Sequence, residues 1–232
     1  MKKPKGKEKK AGSGWNLQKI GIIVIGVCFA VIMVVSSLGM SWLITLNPAA
    51  AGDHATVALT LYDEQGRPVL TSDLKKFNQT YEAGNTVWLC GPFSMYVGQT
   101  SSKEIVPVPV FNYMYGESRY ALFSAEYNAI VQGIAGMKQG ETKKIAIPSL
   151  GGLEREMSVE QFEGIGGNFT AVVPGDQVIL GFAEEPGVTA GTNETPSIVI
   201  RTGYVTSKTA DGIRVNFAYP TAEVSIRELT KV

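Results

Sequence analysis

Between Ile20 and Ile44 the chain reads IGIIVIGVCFAVIMVVSSLGMSWLI, twenty-five residues without a single charge. At ~1.5 Å per residue a helix of that length covers about 37 Å, more than the ~30 Å hydrocarbon core of a bilayer. A buried core helix is rarely apolar on every face for so long. The apolar part of a cleaved signal peptide runs only ~7–15 residues, although Ala49-Ala50-Ala51 would suit a peptidase. The run is therefore read as a transmembrane anchor over 20–46, with the lipid bilayer as its partner through residues 20–44. Residues 1–19 form a basic tail, in which MKKPKGKEKK carries six lysines against one glutamate. That asymmetry places the N-terminus in the cytoplasm and everything after Asn47 outside the cell membrane, in a single-pass arrangement.

Formal net charge is zero, so nothing in the bulk electrostatics invites nucleic acid. With Cys28 inside the span and Cys90 beyond it, an internal disulfide is not expected, and Cys90 reads as a small buried hydrophobe. The single histidine, His54, excludes a Ser-His-Asp or Cys-His triad within the chain and most histidine metal sites. Neither a phosphate-loop spacing nor a GxGxxG is present: GMKQGETKK and Gly164-Ile165-Gly166-Gly167 are read as turns. No metal and no cofactor is expected. Glu184-Glu185 and Glu154/Glu156 are read as solvated surface. Asn78 and Asn168 open sequons and are candidate glycosylation sites; Asn193 opens a third, with Pro196 just after it.

Beyond a short linker at 47–55, the pattern is mostly strands. TVALTLY (56–62), Val69–Thr71, Val87–Leu89 and IVPVPVF (105–111) alternate or are rich in β-formers. Lys143–Ile147, Val172-Val173, Gln177–Phe182, Ser197–Tyr204, Ile213–Phe217 and Val224–Leu229 follow, with Pro174-Gly175-Asp176 and Asp211-Gly212 as turns. Pro107 and Pro109 cannot donate to a ladder, so 105–111 is expected at an edge or in an irregular loop. The best helix outside the anchor is Ser124–Val131, with Ser124 as N-cap and Gly133 and Gly136 just beyond its end.

Tyr127 through Pro148, YNAIVQGIAGMKQGETKKIAIP, resembles the FKBP-type peptidyl-prolyl isomerases, in which a short helix runs into a GM-x-x-GE turn and then a strand ending near Ile-Pro. Val57–Tyr62 with Gly66 and Val69–Ser72 looks like the family's earlier strand-turn-strand, and VSIREL (224–229) like its closing strand. The β-rich residues between Pro148 and the closing strands look like the insert-in-flap domain of the SlyD-like subgroup. The resemblance implies an α+β fold: an FKBP-like antiparallel sheet with one short helix over 55–152 plus 212–232, a β-rich inserted domain over 153–211, and the N-terminal transmembrane helix. It implies a membrane-anchored, extracytoplasmic isomerase and folding helper for exported proteins, with unfolded or X-Pro-containing polypeptides as partners. The apolar proline pocket then falls on Tyr62, Val69, Leu70, Tyr127, Ile130 and Leu150. Rotation about X–Pro meets a barrier of ~18–20 kcal/mol from amide resonance, which an apolar, desolvating pocket lowers without proton transfer. The family's aspartate after the Gly turn falls at Val69-Leu70, with Asp73 as the nearest substitute, and its tyrosine after Pro148 is replaced by Ser149-Leu150-Gly151-Gly152. These departures leave two alternatives open: a catalytically inactive FKBP-like polypeptide-binding (chaperone) domain, and a structural cell-surface β-domain.

Overall fold

The computed structural model describes residues 17–37, 47–148, 153–184 and 197–232, in two units, Met1–Ile44 and Thr45–Val232. The first unit contains helix α1 (Leu17–Ser37). Its apolar stretch from Ile20 to Ser37 is about 27 Å long at ~1.5 Å per residue, short of a ~30 Å hydrocarbon core. Among the described residues no helix is long and apolar enough to cross a membrane. The expected transmembrane helix is corrected accordingly: the described helix ends at Ser37, and residues 38–46 lie outside the described residues.

The second unit is built on strands β1 (His54–Tyr62), β2 (Pro68–Thr71), β3 (Trp88–Cys90), β4 (Phe93–Tyr96), β5 (Ile105–Asn112), β6 (Gly116–Phe123), β7 (Thr142–Ala146), β8 (Glu154–Ser158), β9 (Gln177–Ala183), β10 (Ile198–Lys208), β11 (Gly212–Asn216) and β12 (Thr221–Thr230). They form one continuous curled sheet in the order β7-β12-β1-β2-β3-β5-β6-β10-β11-β8, with β4 added to β1 and β9 to β10. Among the described residues three helices lie on it: α2 (Leu74–Glu82), α3 (Ser124–Gly133) and α4 (Val159–Gly164).

This strand-rich sheet replaces the expected FKBP-like α+β architecture. The sheet is not purely antiparallel, because β2 pairs β3 and β6 pairs β10 in parallel. A parallel neighbour needs a crossover, and α2 supplies it between β2 and β3. Nor is there one short helix. Asp73 caps α2 by accepting from Lys75 N–H at 2.8 Å and Lys76 N–H at 3.2 Å, and Ser158 caps α4 in a box with Gln161. Smaller corrections follow. The cap of α3 is Phe123, whose N–H is taken by the Glu126 carboxylate at 2.9 Å, and Ser124 is its first residue. Val172 and Val173 lie in a turn held by Val173 N–H on Asp176. β5 is interior in the strand order, but β3 meets it only at Val110 and Phe111. Pro107 and Pro109 fall in the half paired by β6 alone.

The main core lies where β1, β5, β6 and β12 face α3; Leu61, Leu70, Leu122, Ile130, Ile134 and Ile226 are sealed there. A second cluster gathers Met157, Phe162, Leu180, Val205, Val215 and Phe217 from the later strands and α4. The Gly136–Glu141 turn closes the first core. Gly136 and Gly140 have φ of 80° and 83°, a left-handed backbone that glycine adopts without a Cβ clash. Ala49 N–H donates to Met137 O at 2.7 Å and Gly136 N–H to Ala49 O at 2.8 Å, while Gly140 N–H donates to Ile226 O. The turn therefore fastens both the incoming linker and the last strand. Lys231 completes the latch, with its ammonium on Pro48 O at 2.5 Å and on Asp53 at 2.7 Å. Asp53 also accepts from Ala50 N–H at 2.7 Å.

Asp53 is buried, and the hydrogen bond from Lys231, followed by that from Ala50, holds its carboxyl below the usual value. A carboxyl lowered in the fold stabilises it above the unfolded pKa of ~3.9 and loses that contribution as pH falls through the folded value. Urea unfolding should show stability declining below about pH 5. Asp53→Asn should be weaker than the parent at neutral pH and should decline less on acidification; parallel acid profiles for the two would count against the latch.

Candidate functional site

An open cleft of about 650 Å³ falls within the ~300–1,000 Å³ usual for ligand sites. One wall is the loop after α2, at Asn85 and Thr86, with Tyr115 from the β5–β6 turn. The lining continues at the end of α4 with Ile165, at Asn168 and at the start of β9 with Gln177. Gly166 takes φ of 88° in the turn that follows α4. A Cβ on Gly167 would stand 2.5 Å from the Phe162 ring, so the second core and the cleft wall share one close contact.

Two side-chain clips join the walls. Gln177 faces Thr86 as a strand would: Thr86 N–H donates to Gln177 Oε1 at 2.6 Å and Gln177 Nε2 donates to Thr86 O at 3.2 Å. Arg67, held to Asp63 at 2.7 Å, donates to Gly175 O at 2.9 Å. Tyr115 lies on Trp88 with ring centroids 5.7 Å apart and planes 30° from parallel. The lining of the cleft is mixed: Tyr115, Phe162 and Ile165 lie among Arg67, Asn85, Thr86, Asn168, Asp176 and Gln177. Among the described residues no group of three metal-ligating side chains is present. Cys90 is buried, its thiol pushed up to about 12 by burial, and His54 meets Tyr96 edge-on with centroids 5.3 Å apart.

Among the described residues expected to form a proline pocket, none lines the 650 Å³ cleft. Val69, Leu70 and Ile130 lie in the main core at no more than 1% exposure. Tyr127 is half-buried against that core, and burial raises its phenol. Tyr62 is half-buried, and its hydroxyl accepts from Lys76 Nζ at 3.2 Å; Lys76 is itself ion-paired to Glu223. Leu150 lies outside the described residues. Asp73, the nearest stand-in for the family aspartate, is engaged as the cap of α2. Asn78 sits within α2 with its side-chain oxygen on Tyr113 OH at 3.1 Å. Asn168 is exposed on the cleft wall and accepts from Ala171 N–H. Asn193 lies outside the described residues.

A small cavity of about 70 Å³ does lie beside α3, lined by Glu126, Ile147, Pro148, Leu153, Tyr219 and Pro220. It holds roughly two waters' share of liquid volume. Next to it is a charged network that the sequence reading missed. Arg201 and Glu126 are fully buried and paired, with Nη2 to Oε1 at 2.5 Å and Nη1 to Oε2 at 2.9 Å. Arg201 also donates to Phe217 O and Ala121 O, both at 2.8 Å. Its guanidinium carbon stands 3.9 Å from the Tyr219 ring centre and 4.4 Å from that of Phe123. Tyr219 OH is bonded to Tyr120 OH and to Thr202 O, and Trp88 Nε1 donates to Thr202 Oγ1 at 3.0 Å. The available signal was one arginine in the otherwise apolar run SIVIRTGYV, which a strand can bury only with a carboxylate partner.

No protein-family model and no curated protein matches the chain. The FKBP-type resemblance therefore rests on its own residues, chiefly Tyr127–Pro148.

Removing one member of a buried ion pair leaves an uncompensated charge and typically costs about 3–5 kcal/mol. Glu126→Leu and Arg201→Met should each lower unfolding stability on that scale in urea titrations. The double variant Glu126→Leu/Arg201→Met should lose less than the two single losses added together. Strict additivity would mean the two charges do not act as a pair.

Proposed function

We propose that this protein is a folding helper that holds extended, incompletely folded polypeptide in the cleft between the α2–β3 loop and α4. The observation that carries this reading is the contrast between sealed pocket residues and an open cleft whose mixed lining includes Tyr115 and Ile165. The expected proline-pocket residues Val69, Leu70 and Ile130 are sealed in the core, whereas a cleft of about 650 Å³ whose lining includes Tyr115 and Ile165 stands open. Tyr115 and Ile165 can remove apolar client side chains from water, and the Asn85 and Asn168 amides can satisfy a client's backbone groups.

Peptidyl-prolyl isomerisation is the second reading. It is favoured by the small cavity beside Glu126, where the strand after the GMKQGE turn ends at Ile147-Pro148, and by the resemblance of that stretch to FKBP-type isomerases. A pocket of this kind acts by desolvating the X–Pro carbonyl and needs no histidine or metal.

The cleft reading predicts that the full chain in detergent micelles binds a reduced, carboxymethylated unfolded protein in fluorescence anisotropy. Tyr115→Ala with Ile165→Ser should weaken that binding by about five- to tenfold, the scale of losing two apolar contacts, without shifting the circular dichroism spectrum. Unaltered affinity in this variant would end the assignment to the cleft. A protease-coupled prolyl assay on the same preparation decides the second reading: turnover abolished by Ile147→Asp supports it, and background turnover in the parent removes it.

We further propose that the apolar segment 20–44 keeps the chain at the cell membrane, with the polypeptide-binding unit on the extracytoplasmic side. The lysines of residues 1–10 support this orientation. The full chain should stay with membranes through alkaline carbonate washing, and deletion of 20–44 should release it; a parent chain found in the wash supernatant would refute the attachment.

A further inference from the structure

Beside the cleft, the β5–β6 turn carries an aromatic ledge that ordinary surface economy does not explain. Tyr113, Met114 and Tyr115 are 55%, 70% and 52% exposed, and Phe111 is exposed next to them. Large apolar side chains clustered in water usually mark a contact surface. The ledge is also built to stay in shape. Asn112 is buried beneath it, its carbonyl accepting from Met114 N–H at 2.8 Å and Tyr115 N–H at 3.3 Å, its amide donating to Val87 O at 2.8 Å. Tyr113 is braced edge-on by Tyr81 at 5.1 Å and Phe111 at 5.6 Å, and it tilts over buried Phe77 at 5.1 Å.

Two carboxylates border these rings. Glu117 stands directly opposite Phe111 in the β5–β6 register, hence on the same face of the sheet. Glu82 lies at the end of α2, four residues after Asn78, whose side-chain oxygen accepts from Tyr113 OH at 3.1 Å, and so on the same helix face. Both are exposed, and among the described residues neither has an ion pair. The wider field has the same sign. Residues 45–232 hold fourteen lysines and arginines against twenty aspartates and glutamates, a net charge of −6 with histidine neutral. Such a surface attracts cations and is repelled by anionic lipid headgroups.

We infer that this ledge is a second binding subsite that selects polypeptide segments in which arginine or lysine neighbours an apolar residue. The cationic head lies over the Tyr113 and Phe111 rings and between the Glu82 and Glu117 carboxylates, and the apolar neighbour passes Tyr115 into the cleft. Rings and carboxylates act on the same charge, through cation–π attraction and through ion pairing. The inference rests on the cleft reading, because Tyr115 belongs to both surfaces and one extended client would lie across them.

The test uses the full chain in neutral-detergent micelles and two fluorescein-labelled peptides of one Trp- and Leu-containing sequence, one with two arginines and one with two glutamates. The arginine peptide should bind about tenfold more tightly at low salt, with the ratio shrinking in about 0.5 M salt. Glu82→Gln/Glu117→Gln should bring the ratio to within about twofold while the parent's circular dichroism spectrum and thermal midpoint are retained. Tyr113→Ser/Met114→Ser should act likewise. A preference that survives both double variants overturns the ledge, as does binding of both peptides without preference, and in each case the cleft reading stands. Binding of neither peptide overturns the cleft and the ledge together. Protection of Met114 from peroxide by phosphatidylglycerol vesicles in the absence of peptide would give the ledge to lipid and overturn the inference.

Discussion

A guanidinium with no access to water needs its charge answered on every side, and the position of Arg201 makes that requirement a constraint on the whole second unit. It lies on β10, yet its partners come from the end of β6 (Ala121 O), from α3 (Glu126) and from the segment after β11 (Phe217 O). β6 and β10 share only one bridge, the parallel pair Tyr120 and Ile200. The sheet is therefore thinnest in backbone bonds where Arg201 is richest in side-chain bonds. The two apolar clusters meet at this seam, with Phe123 of β6 packed against the second cluster and tilted toward Phe217 at 6.5 Å. A buried pair of this kind is weak evidence for added stability. Its effect is geometric: Glu126 fixes the start of α3 against β10, and Tyr120, Tyr219, Thr202 and Trp88 carry the alignment to β3, next to the cleft wall at Tyr115.

That dependence explains why a proline pocket read from linear spacing does not emerge as an open site. Glu126 sits one residue before Tyr127 and four before Ile130, on the face of α3 that an isomerase-type cavity would need to leave apolar and empty. Arg201 fills the adjoining space, stacked between Tyr219 and Phe123, and what remains is about 70 Å³. Val69, Leu70 and Ile130 are apolar for the commonest reason, which is that they are core.

What could be read from the chain divides along the range of the interactions involved. Strand positions such as Val57–Tyr62 and Val224–Leu229 were legible because alternation and β-branching are local properties. α2 and α4 were signalled by Asp73 and by the Ser158-Gln161 box, short cues easily lost in segments with few apolar repeats. The parallel joins, the Gln177–Thr86 clip and the Arg201–Glu126 pair link residues 75 to 91 positions apart or depend on a crossover, and no periodicity in the sequence encodes such meetings. The GMKQGETKKIAIP stretch spans both cases. Its glycines announce a turn, but their main bonds go to Ala49 and Ile226, residues distant on either side. As a motif it describes a junction that ties linker, helix and closing strand together, and such a junction can serve more than one sheet.

The same distinction bears on how the cleft and its neighbouring ledge can be specific. Their walls come from segments that the main core does not need, the β5–β6 turn and the residues after α4, so they can be shaped by a ligand's chemistry without loss of packing. Their rigidity is borrowed from buried groups just beneath: Asn112 under Tyr113–Tyr115, Trp88 behind Tyr115, and Phe162 against Gly167. Pre-organised aromatic contacts lose little conformational entropy on binding. A surface of that sort can hold short extended segments of varied sequence, because the rings are indifferent to which apolar side chain they cover. Discrimination is then left to charge, and Glu82 and Glu117, which have no ion pair among the described residues, are carboxylates that can supply it.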